Sequence, residues 1–146
     1  MEGTTVSEEC AFCKIAQGVY SASIVYEDEL TMAFVDLRQF HPGHTLVMPK
    51  AHLRDVRELD AETGAALMAT VSRVTTAVGA AFPNDGLSLW HSIGPAAFQE
   101  VPHLHIHIHP RRTGDDFLRV YPSNPDHPDK ETRDAYAARI RERLNT

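Results

Sequence analysis

Cysteines are scarce in this sequence, and long apolar runs are absent. Only Cys10 and Cys13 occur among 146 residues, which is too few for the disulfide framework of a small secreted protein. No apolar stretch approaches the roughly 20 residues of a membrane span. The first residues also lack the basic and then apolar pattern of a signal peptide. We therefore expect a soluble cytoplasmic protein without a membrane partner.

Basic residues are outnumbered by acidic ones. Lys and Arg together number 14 and Asp and Glu 20, which gives a formal net charge of −6. This balance argues against broad binding to the backbone of nucleic acids. The phosphate-loop motif G-x-x-x-x-G-K-[ST] is also missing, which excludes the common class of ATPases. A phosphorylated ligand would have to be captured by a few local side chains.

The chain length is appropriate for one domain with its own core. We expect residues 1–8 to form a flexible tail and residues 9–146 to form one domain with a C-terminal helical extension. Hydrophobic periodicity predicts a short helix that ends at Gly18, a long Ala-rich helix at residues 60–82 capped by Asp60 or Thr63, and a last helix at residues 130–144. Strands are predicted at residues 23–28, 31–37, 44–50, 87–92 and 103–109. The predicted fold class is therefore α+β, with a mainly antiparallel five-stranded sheet.

The stretch PHLHIHIHP places histidine at four alternate positions, 103, 105, 107 and 109. As a strand it would direct Leu104, Ile106 and Ile108 into a core and all four imidazoles to the opposite face. Three interpretations of that face are open: a metal site, a catalytic row that handles phosphate, or an ordinary polar strand face.

The C-x-x-C pair formed by Cys10 and Cys13 indicates either metal binding or redox activity in an intracellular protein. A redox function predicts a thioredoxin-like βαβ pattern after the pair. The sequence shows no such pattern, which favours the metal.

Several segments together resemble one family. "QEVPHLHIHIHPR" resembles the motif of the histidine-triad (HIT) superfamily of nucleotide-binding hydrolases and transferases. "CAFCKIAQG", "VYEDELTMAFVDL" and "HPGHTLVMPKAH" are similar to the N-terminal half of the same family. The resemblance covers most of residues 9–112 and implies a HIT-like fold.

The resemblance implies a catalytic set of four residues. His105 would attack the α-phosphate of a nucleotide to give a nucleotidyl-histidine that water hydrolyses, which suits a neutral imidazole whose other nitrogen is held as N–H. His107 would stabilise phosphate charge and protonate the leaving group. His44 would support the nucleophile or the phosphate, although it could also be a turn histidine bonded to backbone. Gln99 would contact the phosphate or the leaving-group oxygen.

The resemblance also implies a nucleotide site and a structural zinc. Asp36 matches the carboxylate that binds the ribose hydroxyls. The base slot would be apolar, although its residues are equally suited to an ordinary core: Phe12, Ile15, Phe34 and Leu37. In zinc-binding relatives the Cys2His2 ligands map to Cys10, Cys13, His52 and His103. The alternative is that the two cysteines are small buried hydrophobes and that His52 merely starts a helix.

Five positions depart from the family pattern. Ser92 occupies the position of an asparagine that usually touches the sugar or phosphate. Glu100 stands where some branches carry a phosphate-binding serine, and its carboxylate would repel a phosphate unless it points away. Phe98 replaces a glycine and could reshape the phosphate loop or close the pocket. His109 replaces an aliphatic residue, and solvation at the strand end would account for it. Gln39 replaces a frequent proline, a change that we expect to be small.

These features favour an enzyme that acts on nucleoside phosphoramidates, adenylated lysine or dinucleoside polyphosphates. One alternative is a purine-nucleotide-binding regulatory module with little turnover. Another is a zinc-storage or sensor protein, for which Asp36 and Gln99 would have no purpose. By the same resemblance we expect a homodimer that pairs through the long helix and an edge strand.

Overall fold

Five antiparallel strands form the sheet of this protein, in the order β1-β2-β3-β5-β4. The structure is a computed structural model, and it describes residues 9–144. The predicted flexible tail at residues 1–8 lies outside the described residues. The predicted α+β class, with one long helix and a C-terminal helix, is confirmed. The elements in chain order are α1 Ala11–Ala16, β1 Ile24–Glu27, β2 Thr31–Val35, β3 Thr45–Pro49, α2 Ala61–Ala81, β4 Gly86–Trp90, β5 Ile106–Arg111 and α3 Lys130–Leu144.

The histidine strand begins later than the sequence indicated. The alternation predicted a strand at residues 103–109, but β5 runs from Ile106 to Arg111. The reason lies in the backbone: the Leu104 N–H donates to the Leu53 carbonyl at 2.7 Å, and the His103 N–H donates to the Val101 carbonyl at 2.8 Å. These groups are therefore satisfied by loops and do not join the ladder with β3.

Both faces of the sheet are covered by apolar side chains. One face packs against α2 through Leu104, Ile108 and Val47, together with helix residues such as Leu67. The other face carries Cys10, Cys13, Phe12, Met32, Phe34, Leu46 and Met48. The predicted alternation of the histidine strand is thus correct, because its aliphatic residues face α2 and leave the imidazoles on the side of α1.

The helix α2 begins at a side-chain cap and ends at another. Asp60, one of the two caps expected, accepts a hydrogen bond from the Thr63 N–H at 2.7 Å. At the other end Asn84 donates to the carbonyls of Gly79 and Phe82. Capping at both ends satisfies backbone groups that a helix leaves unpaired. The buried face consists of Thr63, Leu67, Thr70, Val71, Val74 and Val78.

A tight turn brings His44 to the start of β3. Gly43 has φ of +111°, and a Cβ there would lie 2.8 Å from the ring of Phe82 and 3.0 Å from Pro110. Only glycine fits both the conformation and the space. The turn therefore fixes where the His44 ring enters the sheet.

Contacts within the chain divide it into two units, the first ending at Asp115 and the second beginning at Asp116. The second unit contains α3, which starts after Asp129, whose carboxylate accepts a hydrogen bond from the Thr132 N–H at 2.9 Å. Its last turn carries Arg141 and Arg143, as expected for a helix C-terminus. One domain with a C-terminal extension stays a prediction.

Candidate active site

The side chain of His105 is held in one defined orientation. Its Nδ1 lies 2.6 Å from the carbonyl oxygen of His103. A carbonyl can only accept, so Nδ1 carries the proton and Nε2 carries the lone pair. Burial lowers the pKa of His105 below its ordinary value, with the hydrogen bond to His103 acting in the opposite direction. The ring is therefore neutral at pH 7, which is the form that can act as a nucleophile.

His107, His44 and Asp36 form a connected group next to His105. The Nε2 atom of His44 lies 2.9 Å from Nδ1 of His107 and 3.6 Å from a carboxylate oxygen of Asp36. The centroids of the His105 and His107 rings are 4.9 Å apart. His44 thus contacts the side chain of a triad histidine. A turn histidine bonded only to backbone, the alternative interpretation of His44, would not make this contact.

Trp90, which the sequence did not single out, is stacked on His107. Their ring centroids are 4.4 Å apart and their planes differ by 7°. The pairing of β4 with β5 places these two residues opposite each other. The indole therefore covers one face of the His107 ring and fixes its plane.

The pKa values of His44, His105 and His107 are all lowered, so these three imidazoles are neutral at pH 7. Burial, followed by the repulsion that a proton on His107 would meet from His105 and His44, lowers the pKa of His107 to about 3. Burial also lowers the pKa of His44, although Asp36 acts to raise it. His107 can therefore act as an acid only after a negatively charged group has entered the site and stabilised its proton.

The four residues expected to form a base slot divide into two groups. Phe12 and Phe34 are buried with edge-to-face rings 5.3 Å apart, and Phe12 also packs 4.9 Å from the His105 ring. Ile15 packs against the same cluster. Leu37, in contrast, is 100% exposed, so the alternative that it belongs to the core is wrong.

Gln99 and Phe98 shape the loop before the histidine strand. Gln99 accepts a hydrogen bond from the Gly94 N–H and donates one to the Arg54 carbonyl, each at 3.0 Å. In this structure the Gln99 amide is therefore hydrogen-bonded to the backbone of Gly94 and Arg54. Phe98 adopts the left-handed conformation with φ of 65° and is 83% exposed. A family glycine at this position suits that conformation, and the phenyl ring points away from the interior. Ser92 lies in the half-buried segment just after β4.

Glu100 points at Arg38. The two side chains form a bidentate ion pair with contacts of 2.9 and 3.2 Å. Arg38 also lies 3.9 Å from the Asp36 carboxylate, and its charge lowers the pKa values of His44 and His107. The pair therefore joins the loop after β2 to the loop before β5 beside the histidine cluster.

Gln39 has a larger role than the sequence indicated. Its amide nitrogen donates to the carbonyls of Asp36 and His44, and its amide oxygen accepts from the N–H groups of Gly43 and His44. A proline could make none of these bonds with its side chain. Gln39 therefore fixes the loop that carries both Asp36 and His44.

His109, the fourth histidine, is completely buried. The expectation that it would be solvated at the strand end is wrong, because β5 continues to Arg111 and keeps His109 inside the sheet. Its Nδ1 donates to the Pro110 carbonyl at 2.8 Å, and its ring lies 4.7 Å from that of His44. The packed imidazoles therefore extend one histidine beyond the triad.

Cys10, Cys13, His52 and His103 converge at the other end of the histidine row. One ligand atom from each lies within 4.8 Å of the others. The Sγ to Nδ1 distances range from 3.2 to 3.5 Å, close to the roughly 3.6 Å of a tetrahedral zinc site. His103 Nε2 donates to the Pro49 carbonyl at 2.8 Å, which leaves the Nδ1 lone pair directed at the sulfurs. The donor set and its orientation fit zinc.

The fold and this cluster define an α+β protein with a row of histidines on one face of its sheet, two of which, His103 and His105, pack against Phe12 of the short N-terminal helix. The family model of the HIT domain matches residues 17–114. The chain belongs to the HIT domain family.

Individual relatives support this membership. "Protein hit" of Bacillus subtilis is 37% identical over 139 residues, which is 94% of this chain and 96% of that protein. The adenosine 5'-monophosphoramidase hnt1 of Schizosaccharomyces pombe is 34% identical over 122 residues, 83% of this chain and 89% of that protein. A crystal structure of a HIT family member from Bacillus subtilis has a TM-score of 0.86 at 36% identity and covers 93% of this chain and 97% of that one.

Within residues 9–144 no helix combines the length and the apolar character that crossing a membrane would require.

Proposed function

We propose that this chain is a nucleotide-binding hydrolase or transferase that cleaves at the α-phosphate of a nucleoside phosphoramidate or a related (di)nucleotide. The observation that carries the proposal is the hydrogen bond of 2.6 Å from His105 Nδ1 to the His103 carbonyl. It presents a neutral nucleophilic nitrogen beside a second histidine that can handle charge.

In the first step, Nε2 of His105 forms a bond to the α-phosphorus, and the bond from phosphorus to the leaving group breaks. The charge of the bound phosphate favours protonation of His107, which opposes the burial that lowers its pKa. His107 then gives that proton to the leaving group. In the second step, water attacks the phosphorus, His107 takes a proton from it, and the bond to His105 breaks.

Asp36 and the apolar cluster supply recognition in this proposal. The Asp36 carboxylate can accept two hydrogen bonds from the ribose hydroxyls. Phe12, Phe34 and Ile15 are suited to one side of a purine base, and the exposed Leu37 to the other. Gln99 and Ser92 would contact the phosphate or sugar after the loop adjusts. The similarity to the adenosine 5'-monophosphoramidase hnt1 of Schizosaccharomyces pombe supports the substrate class.

The test compares the native chain with His105→Ala on an adenosine 5'-phosphoramidate. Loss of a covalent nucleophile should lower kcat by at least about 10³-fold, while binding of AMP is retained. His127→Ala, which removes an exposed histidine of the second unit, should leave the rate unchanged. Equal rates in native protein and His105→Ala would refute the nucleophile.

A non-catalytic purine-nucleotide-binding module is the second candidate, and the Arg38–Glu100 pair favours it. A carboxylate beside the phosphate site would slow turnover with anionic substrates. AMP binding by the native chain, with no hydrolysis of phosphoramidate, adenylated lysine or dinucleoside polyphosphate, would support this candidate.

A structural zinc held by Cys10, Cys13, His52 and His103 is part of the proposal. When bound, the metal would supply only cross-linking, since four protein ligands leave no open position. His103 would then hold zinc through Nδ1 while its carbonyl orients His105. The zinc would thus connect the N-terminal segment to the proposed nucleophile.

A further inference from the structure

Asp36, His44 and His107 converge on a second point of the histidine row, which no zinc ligand of the first site shares. One ligand atom from each of the three lies within 4.8 Å of the others. The contacts from His44 Nε2 are 2.9 Å to His107 Nδ1 and 3.6 Å to Asp36 Oδ2. Ligand atoms of a tetrahedral metal with bonds near 2.0–2.1 Å are separated by about 3.3 Å. His44 Nε2 therefore already lies close to this spacing from the other two atoms, which are themselves within 4.8 Å of each other.

The two imidazoles are in the form that metals bind. Neutral His44 and His107 hold one proton between Nε2 and Nδ1, at a separation of 2.9 Å. If His44 carries its N–H on Nδ1 and His107 carries its N–H on Nε2, both rings remain neutral. The lone pairs of His44 Nε2 and His107 Nδ1 then both point into the space between the two rings. His107 lies on β5, His44 immediately precedes β3 and Asp36 immediately follows β2, and Asp36 and His44 are buried. The sheet therefore orients the donors before any ion arrives.

The charge around this cluster also suits a cation. The three ligands carry one negative charge, on Asp36. Arg38 is the nearby positive charge, but Glu100 offsets it through the bidentate pair. Two nitrogen donors and one carboxylate favour zinc-like transition metals over calcium and magnesium, which prefer oxygen ligands.

We propose that Asp36, His44 and His107 form a second metal site, which binds a divalent transition metal and excludes the nucleotide. Metal binding rests on the geometry alone. The exclusion rests on the proposed function, because Asp36 and His107 are the groups assigned to the ribose and the phosphate. The three ligands leave an open position, and the site would act as an inhibitory one.

The experiment starts with the full chain carrying one equivalent of zinc and titrates it with cobalt(II). Cobalt bound to thiolates shows intense charge-transfer absorption, whereas cobalt bound to two histidines and a carboxylate shows only weak ligand-field bands. We expect a further equivalent of cobalt with the weak bands alone. Asp36→Asn and His44→Ala should lose this equivalent and keep the zinc, which also shows that they fold. His127→Ala should keep both metals.

Competition with AMP tests the exclusion. At AMP of roughly ten times its own Kd, strict exclusion raises the apparent Kd of the second metal about elevenfold. An unchanged or lower metal Kd in the presence of bound AMP would overturn the exclusion. Absence of the second equivalent, or its full retention in Asp36→Asn and His44→Ala, would overturn the site. If AMP does not bind at all, the proposed function fails, while the cobalt titration still decides the metal site.

Discussion

At the scale of single residues, the Arg38–Glu100 pair sets the charge beside the histidine cluster. Glu100 offsets the charge of Arg38, which acts to lower the pKa of His107. Both side chains are largely exposed, so the pair contributes little to stability. Its consequence is electrostatic. The Glu100 carboxylate would repel an anionic leaving group, and the charge of Arg38 is already offset by its ion pair with Glu100.

We therefore predict that Glu100→Gln changes substrate preference. With a dinucleoside polyphosphate, whose leaving group is anionic, kcat/KM should rise about fivefold, because one repulsive charge at an exposed site is worth about 1 kcal/mol. With an adenosine phosphoramidate, whose leaving group is a neutral amine, the change should be smaller than twofold. Steady-state kinetics on both substrates measure the ratio.

Glu29→Gln is the matched control, since it removes the same charge from the exposed turn between β1 and β2. It should leave the ratio unchanged. Equal effects of Glu100→Gln on both substrates would mean that the pair acts on the loop and not on the leaving group.

The residues of the site differ in how far the sequence could predict them. His105, His107 and Asp36 stand in motifs with fixed spacing, and the structure brings all three to one place. The contacts of Gln39, Arg38 and Trp90 were not predicted, because these residues act through long side chains on loops or across a strand pair. Their partners are set by tertiary structure, which no local periodicity encodes.

At the scale of elements, the helix α1 depends on what it is attached to. It has only six residues, Ala11–Ala16, which is too short to be stable by itself. Phe12 and Cys13 bury it against the sheet, and the Cys10 side chain caps its first turn. The proposed zinc would join the helix to His52 and His103, which lie after β3 and before β5.

We predict that removing zinc from the native chain lowers Tm markedly. At free zinc of 1,000 times Kd, binding adds about 4 kcal/mol to the free energy of unfolding. For a chain of this size that corresponds to roughly 8–16 °C in Tm. Calorimetry with and without a chelator measures the difference, and metal analysis should give one tightly bound zinc per chain.

Cys13→Ser provides the control for this prediction. The variant should start at the lower Tm and show no further decrease with chelator, because a serine hydroxyl is a poor zinc ligand. A native protein that is insensitive to chelator would show that α1 is held by apolar packing alone.

The start of β5 could be predicted only in part. Its alternation of apolar and polar residues is visible in the sequence, but the hydrogen bond from the Leu104 N–H to the Leu53 carbonyl is not.

At the scale of the whole molecule, the two edges of the sheet differ. The β1 edge is irregular, with a shift of register between Ile24 and Tyr26, and irregular edges resist pairing with other strands. The opposite edge strand, β4, is regular: it pairs with its inner neighbour β5 from Gly86 to Trp90 without a shift of register. Leu89 on this strand is 44% exposed and lies on the face of Leu87, which packs against the α2 core. We therefore assign the expected homodimer to β4.

We predict that the native chain is a dimer and that Leu89→Lys converts it to a monomer. A lysine at the edge would place two like charges close together across a symmetric strand pair and remove the exposed leucine from the contact. Sedimentation velocity of the native chain should give twice the monomer mass, and the variant should give the monomer mass at the same concentration.

Val25→Lys is the matched control on the opposite edge, because Val25 is 47% exposed and belongs to β1. It should remain a dimer. If Val25→Lys gives the monomer instead, the dimer uses β1. If the native chain is itself a monomer, the expectation of a dimer is wrong.

The choice of edge matters for the site, because Trp90 follows Leu89 and stacks on His107. Pairing through β4 would hold this strand in place, so a monomer made by Leu89→Lys should also lose activity.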